Sequence, residues 1–587
     1  MLGKDYIKVL RIDLDRKKIT IDRRKDLVEY LGGTGVAAKL LDEYVDAGAD
    51  PLDPQQPVVF AIGPMTTAFP ICTKAVAVFR SPLTGDYGES HSGGRFAMAM
   101  RFAGYDAIVI SGKSEKPVYL SISNNNVNFE DAGYLWGLSI EKTGAILRER
   151  ESKIGAGKRS ILRIGQAGEN LVRFAALNVD TYRHFGRLGL GAVFGSKNLK
   201  ALVIGGNRSY TLPDMPAYGK LYQEIYRTIT DSPAMKKYHE LGTAQNIMPL
   251  NIASGLPTRN LTSTSFEDAE KISGEAFAEE LLLRKITCSG CPVGCIHIGL
   301  LREEFAEGYE YKYTGVGYDY ELIYSLGSML GVGDKKNILQ LIERVEGYGL
   351  DAMSAGVALA WLTEAISTGL VEEGPELKFG DAVGYLQALD FLAQGEKCEF
   401  AVYRELSKGV DQAVKTFGGG DFACTLGKNE MAGYHTGYGS ILGQAFGSRH
   451  SHLDNGGYSF DQQKGFDLDN LVDELIKEEA ERDMLTSLAI CLFARKIYGD
   501  RRLVARCLDT LGIEKTPDEL GEIGKKIFAL KHTLKQKLGF KLDEVSIPKR
   551  FLRTKALGGQ LDSEQLEKLT KVYREKLREI VGERGRH

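Results

Sequence analysis

The chain reads as an α+β protein, with a β-rich N-terminal domain followed by two mainly α-helical domains. Three observations predict this. Its 587 residues exceed what one hydrophobic core supports. Up to residue 206, short runs of strand character alternate with Gly and Pro breaks, and after Leu212-Pro213 apolar residues recur at helical spacing. A Gly-rich stretch, Phe417-Gly-Gly-Gly-Asp, then interrupts the helical part. The expected domains are therefore 1–208, 209–417 and 418–587.

In the first domain the strand runs are Tyr6 to Leu14, Lys18 to Asp22, Pro57 to Ile62, Ala75 to Phe79, Ala107 to Ser111, Val118 to Ile122 and Ala201 to Ile204. A helix is expected from Leu27 to Tyr44, and Ser92-Gly-Gly-Arg opens another. In the second domain amphipathic helices are expected near 216–230, 275–285, 320–330, 336–348, 355–367 and 380–394. The third begins with a loop-rich segment, 426–465, full of Gly and His. Helices near 467–497, 516–538 and 562–581 follow, the last strongly charged and read as a solvated terminal helix. No solenoid repeat or low-complexity tract is visible.

Composition excludes some functions. The formal net charge is −3 with both signs interspersed, which leaves no basic footprint for nucleic acid. The N-terminus runs straight into alternating residues without a signal-peptide apolar region, and no stretch of about 18 apolar residues follows. A soluble, cytoplasmic protein with no membrane partner is expected.

Chemistry enters with Cys288-Ser-Gly-Cys291-Pro-Val-Gly-Cys295. Three thiolates so close, on a turn loosened by Gly290 and Gly294 and stiffened by Pro292, converge on one point and predict a metal centre with a fourth ligand from elsewhere. Structural zinc takes its ligands as two short pairs, so a [4Fe-4S] cluster reads better. By spacing alone Cys72, Cys398, Cys424, Cys491 or Cys507 completes the site; singly, each also suits a small buried hydrophobe. Eight cysteines scattered over this length argue against a disulfide framework and for a reducing compartment. Two Gly-rich segments, Ser92-Gly93-Gly94-Arg and Gly186-Arg-Leu-Gly-Leu-Gly with Gly195-Ser-Lys-Asn, offer amides that suit a phosphate. Neither is a dinucleotide fingerprint or a P-loop, and singly each is more often a tight turn.

These segments, with Gly63-Pro-Met-Thr, Arg80-Ser-Pro-Leu-Thr-Gly, Phe102-Ala-Gly-Tyr-Asp-Ala-Ile-Val, Gly165-Gln-Ala-Gly-Glu-Asn-Leu-Val, Gly349-Leu-Asp and Ala489-Ile-Cys-Leu-Phe, carry a resemblance over essentially the whole chain. It resembles the aldehyde ferredoxin oxidoreductase family, enzymes holding tungsten, sometimes molybdenum, between two pterins beside a [4Fe-4S] cluster. The resemblance implies that the N-terminal domain is pterin-binding. It implies Cys491 as the fourth ligand, since the family motif Asp-x-x-Gly-Leu-Cys matches Thr486-Ser-Leu-Ala-Ile-Cys491. The other pterin motif, Asp-x-x-Gly-Leu-Asp, matches Glu346-Gly-Tyr-Gly349-Leu350-Asp351, so Glu346, Gly349, Leu350, Asp351, Thr486 and Ile490 are implied cofactor contacts. Further contacts are Lys74, where the family has an Arg between cluster and pterin, Ser92, Gly93, Gly94, Arg183, and the backbone carbonyl of His184. His91 stands where the family has an Asn that helps hold magnesium between the pterin phosphates, and that substitution removes an oxygen ligand.

For catalysis the resemblance implies Asp319 and Glu321 in Gly317-Tyr-Asp-Tyr-Glu321, and a His in Ser448-Arg-His450-Ser-His452, with His452 preferred to His450. Singly, such an Asp is more often a helix-entry charge and a loop His a structural group. The implied function is oxidation of an aldehyde to a carboxylic acid, with electrons leaving through the cluster to ferredoxin or a small iron–sulfur subunit. One rival is the catalytic subunit of a tungsten-dependent aryl-CoA reductase of the benzoyl-CoA type. The other is a zinc-stabilised interaction protein without redox chemistry. Some family members bridge two subunits through a lone iron held by Glu-x-x-His; Gln340 and Glu343 stand there, so no such iron is expected, and a homo- or hetero-oligomer stays open. Two basic pairs, Arg284-Lys285 and Arg495-Lys496, flank the outermost cluster cysteines and favour an acidic electron partner, although cations capping helix ends would look the same.

Overall fold

The computed structural model describes residues 5–154, 156–465 and 468–584. The N-terminal part holds two six-stranded sheets. In spatial order the first runs Lys18–Arg24, Ile7–Asp13, Ala107–Ser111, Val58–Ala61, Ala75–Arg80, Tyr87–Ser92. The second runs Asn126–Asp131, Val118–Ser123, Leu199–Gly205, Arg159–Arg163, Leu177–Val179, Arg183–Phe185. Chain order and pairing are the same strand for strand: in each sheet an opening hairpin is followed by a last strand that lies parallel to the first. The two sheets are therefore a two-fold repeat that the sequence did not disclose.

Side-chain alternation explains how the first sheet is buried on both faces. Leu10, Ile12, Val58, Phe60, Ala77, Phe79, Ile108 and Ile110 point to the second sheet and meet Leu120, Ile122, Leu162, Leu177, Leu202 and Ile204. The neighbours one residue off, Val9, Val59, Ala61, Val76, Val78, Ala107 and Val109, pack on helix Gly33–Tyr44 and the C-terminal helices. Strands with apolar residues on both faces read as continuous hydrophobic runs, which is why these were visible in sequence.

The rest is mostly helical, around helices Tyr320–Leu326, Lys335–Tyr348, Ala352–Ser367 and Ala382–Leu392. A three-stranded sheet interrupts it: Leu282–Ile286, Ile296–Ala306, Glu310–Tyr318. This corrects the helix expected at 275–285, which ends at Glu280 and gives way to a strand. The helix expected at 27–44 is split by Leu31, at φ 61°, into a 3-10 turn Asp26–Tyr30 and helix Gly33–Tyr44. The one expected at 467–497 is Leu471–Ser487, ended by a turn at Ala489; residue 467 lies outside the described residues. The segment read as loop, 426–465, contains helices Tyr438–Phe446, His452–Asn455 and Gly457–Lys464, hidden in sequence by their Gly content. Among the described residues no helix is long and apolar enough to cross a membrane.

Candidate functional site

Two segments far apart in sequence carry the cysteines, and a third holds them together. The loop 287–295 is the connection between strands Leu282–Ile286 and Ile296–Ala306, closed by the pair Ile286 and Ile296. Cys491 lies on the turn after helix Leu471–Ser487. The segment 71–74 sits between them: Ile71 N–H donates to Gly290 O at 3.1 Å, Cys491 N–H to Ile71 O at 3.1 Å, and Lys74 N–H to Ala489 O at 3.1 Å. Ser289 N–H donates to Gly94 O at 3.0 Å, which fixes the loop against the Gly-rich segment. Gly93 is needed there, because a Cβ would stand 2.6 Å from Cys288 Sγ.

Cys288, Cys291, Cys295 and Cys491 line one cavity of about 340 Å³. Burial pushes the Cys291 thiol far up, and Cys491, Cys288 and Cys295 add to it. Burial and Cys491 push Cys295 up to about 11, against the pull of Arg183 and Lys74. Thiols raised in this way, as at Cys291 and Cys295, ionise more readily with a cation bound beside them, as a metal site requires. Among the described residues no group of three or more His, Cys, Asp or Glu side chains is gathered closely enough to hold a single ion.

A second cavity of about 200 Å³ adjoins the first; Lys74, His91, Arg183, Arg187, Asp319 and Glu321 line both. Gly93, His184, Glu346, Leu350 and Asp351 line the second, and Thr486 and Ile490 the first. Ser92, Gly94 and Gly349 line neither: Gly349 ends helix Lys335–Tyr348 in a left-handed turn, φ 75°. Burial lifts the Glu346 carboxyl to about 8 although Arg183 opposes it. Burial also lowers His184 to about 3, helped by Arg183, and His91 to about 4, helped by Arg449. Asp351 is less free than its motif suggested. It caps helix Ala352–Ser367, accepting from Met353 N, Ser354 N and Ser354 Oγ, and Arg187 Nε donates to it at 3.1 Å.

At the other end of the first cavity, Glu321 Oε1 lies 3.4 Å from His452 Nε2. Tyr434 O–H donates to the same oxygen at 3.3 Å, and its ring lies 5.0 Å from the His452 ring and 4.2 Å from Tyr458. Burial would raise Glu321, but His452 holds it below the ordinary value. Asp319 goes the other way, lifted to about 6 by burial and by Glu321. Its bland reading holds as well, since Asp319 Oδ1 accepts from Leu322 N at 3.2 Å and caps helix Tyr320–Leu326. His450 lines neither cavity. It is buried with Nδ1 against Gln444 O and Nε2 3.7 Å from Asp86.

Sequence reading missed Arg187, Arg449, Glu89 and Tyr434. Arg187 and Arg449 stand inside segments already singled out, and their charge amid Gly and His was the available signal. Glu89 takes His91 Nε2 at 2.5 Å, Tyr87 O–H at 2.7 Å and Lys531 at 3.1 Å; strand alternation alone marks it as inward-facing. Tyr434 gave no signal, because its partner is 113 residues away.

A β-rich part and a helical part closing on one interior space that carries thiols, cations and paired carboxylates define an oxidoreductase with an enclosed site. The family model for the aldehyde ferredoxin oxidoreductase N-terminal domain matches residues 9–206, and that for domains 2 and 3 matches 220–582. The chain belongs to the aldehyde ferredoxin oxidoreductase family. The tungsten-containing aldehyde ferredoxin oxidoreductase of Thermococcus kodakarensis is 30% identical over 92% of this chain and 91% of its own. An aliphatic sulfonate oxidoreductase, WOR-like subunit, of Pyrococcus furiosus is 29% identical over 66% of this chain and 64% of its own. The solved active site complex BamBC of benzoyl coenzyme A reductase with 1,5 dienoyl-CoA superposes with a TM-score of 0.81 at 21% identity, covering 97% of this chain and 94% of that one; at that identity the likeness shows the fold.

Proposed function

We propose that the chain is a cytoplasmic tungsten- or molybdenum-pterin enzyme that oxidises an aldehyde to a carboxylic acid and passes electrons through a [4Fe-4S] cluster to ferredoxin or a small iron–sulfur subunit. The observation that carries the reading is a juxtaposition: cysteines from two distant segments line the same cavity as the Glu321–His452 pair. The names of the full-length relatives support tungsten, aldehyde and ferredoxin.

Cys288, Cys291, Cys295 and Cys491 would hold the cluster, with Lys74 and Arg183 offsetting thiolate charge. Glu346, Asp351, His184 and His91 would face one part of the pterin pair and Thr486 and Ile490 the other. Magnesium is left out of the reading, because His91 offers nitrogen where the family has an amide oxygen and its Nε2 is already held by Glu89. When bound, the metal centre supplies the two-electron oxidation and the cluster divides the pair into single electrons.

Oxidation of an aldehyde with one water yields the acid, two electrons and two protons; one proton goes to a residue of the chain and the other leaves to solvent. Asp319, at about 6, is poised to take one at Oδ2 while Oδ1 stays on the Leu322 amide. Glu321 stays ionised and orients His452, whose ring is held against Tyr434. His450, outside both cavities, has no part in this proposal.

Metal analysis of anaerobically purified protein tests the cofactor half, with about four iron and one tungsten or molybdenum per chain expected and zinc alone overturning it. A dye-linked assay tests the reaction: turnover with an aldehyde panel is expected, and turnover with an aryl-CoA thioester instead would establish the rival reductase.

A further inference from the structure

Helix Pro233–Leu241 was read in sequence as nothing in particular, yet it clamps the cysteine loop. His239 Nδ1 lies 2.8 Å from Val293 O, between Cys291 and Cys295, and His297 Nε2 lies 3.1 Å from Glu240 O. Tyr238 of the same helix stacks on Phe493, two residues after Cys491, with ring centroids 4.4 Å apart and planes within 5°. Phe493 also lines the cysteine cavity. All four cysteines are only part-buried, and Thr287 just before the first and Gly290 between the first two are exposed, so this is where the cysteine site meets the surface.

The surface around the stack is cationic. Helix Pro233–Leu241 brings Lys236 and Lys237, both exposed, to join Arg284 and Lys285 before the cysteine loop and Arg495 and Lys496 after Cys491. Among the described residues none of the six has a carboxylate within ion-pair distance. Glu240 is the one carboxylate of the helix, and the whole chain carries −3. Cations without an ion pair, brought by three packed segments beside a flat aromatic pair that Arg495 approaches, have the anatomy of an electrostatically steered interface.

We infer that the face formed by helix Pro233–Leu241, the cysteine loop and the turn at 491–496 docks an acidic iron–sulfur protein, with the Tyr238–Phe493 stack at its centre. The inference rests on the redox reading and deepens it by naming the surface. Helix-end capping does not account for four of the six cations, since Lys236 and Lys237 stand in the middle of their helix and Arg284 and Lys285 on a strand, whereas Arg495 and Lys496 lie in the last turn of helix Arg495–Tyr498.

The test uses the purified holoenzyme and an acidic [4Fe-4S] ferredoxin, with association followed directly by rapid mixing and turnover followed with both ferredoxin and a small viologen dye. Lys236→Glu with Lys237→Glu is expected to slow association about tenfold at low ionic strength, near 20 mM, and less than about twofold at 500 mM. Dye-linked turnover and iron content should be unchanged, and Lys496→Glu should act in the same direction. Lys568→Glu with Lys571→Glu, on the exposed terminal helix Ser563–Arg584, should do nothing. Association that ignores the first pair, or falls equally with the control pair, overturns the docking face. Wild-type protein without iron or dye-linked turnover overturns the redox reading itself, so the two failures are told apart.

Discussion

Two helix ends in this molecule share one backbone and differ in chemistry. Helix Lys335–Tyr348 ends with Gly349 N–H on Glu346 O and Leu350 N–H on Val345 O, each at 3.0 Å; helix Leu471–Ser487 continues to Ala489 N–H on Thr486 O and Ile490 N–H on Leu485 O, each at 3.1 Å. Gly349 and Ala489 both turn left-handed, at φ 75° and 66°. Each end then docks on its own repeat of the β-rich part: Asp351 N–H on Phe174 O and Ala176 N–H on Gly349 O at one, Cys491 N–H on Ile71 O and Lys74 N–H on Ala489 O at the other. Even the close approaches match. A Cβ on Gly165 would lie 2.3 Å from Tyr348 O, and one on Gly63 2.2 Å from Leu488 C. The backbone thus places two equivalent positions beside one interior space, and the side chain decides their use: Asp351 caps a helix and holds Arg187, whereas Cys491 faces the other thiols.

The largest effect should come from exchanging what differs. Cys491→Ala is expected to lose nearly all the iron, and Asp351→Ala to keep it while costing about 1 kcal/mol through the lost cap; these are read by metal analysis and urea unfolding. Equal iron loss in both would mean that the two ends act as one structural unit. Next come the shared contacts. Gly63→Ala and Gly165→Ala should each cost about 1–3 kcal/mol, because backbone atoms cannot yield to the added methyl, and similar costs at both would sharpen the equivalence.

The two ends also differ in titration. Glu346, lifted to about 8, binds a proton in the folded cofactor-free protein that the unfolded chain has released above its ordinary value near 4.5. Its contribution to folded stability should therefore fall as pH rises from about 4.5 to about 8 and level off above, and Glu346→Gln should reduce the slope while Thr486→Val leaves it intact. Thermal unfolding across pH checks the sign; a slope unchanged in Glu346→Gln would place the proton elsewhere. Tyr434→Phe removes the hydroxyl that bonds Glu321 and also meets Asn246, so a loss of about 0.5–1.5 kcal/mol, up to roughly tenfold in turnover, is expected with iron unchanged. The smallest effect belongs to the turns: Gly349→Ala should cost about 1 kcal/mol, whereas Ala489→Gly should shift stability by less, since relief of the left-handed strain is offset by a lost buried methyl.

The sequence by itself determined the parts whose signal is local. Strands buried on both faces are continuous apolar runs, so Ala75 to Phe79 and Ala107 to Ser111 stood out; the Cys-x-x-Cys-x-x-x-Cys run is legible because spacing and residue type carry it, whereas Gly349-Leu-Asp is legible only through its family resemblance. Tertiary structure decided what depends on a distant partner. Tyr434 meets Glu321 across 113 residues, Asp351 is held by Arg187 from the β-rich part, His452 rather than His450 reaches the cavity, and helix Pro233–Leu241 lies on the cysteine loop. The two-fold repeat of the sheets belongs there too, because hydrogen bonds of the backbone preserve a fold whose side chains have diverged. Cysteine spacing predicts a metal in one dimension, but which carboxylates cap a helix and which also face the cavity depends on the neighbours that folding supplies.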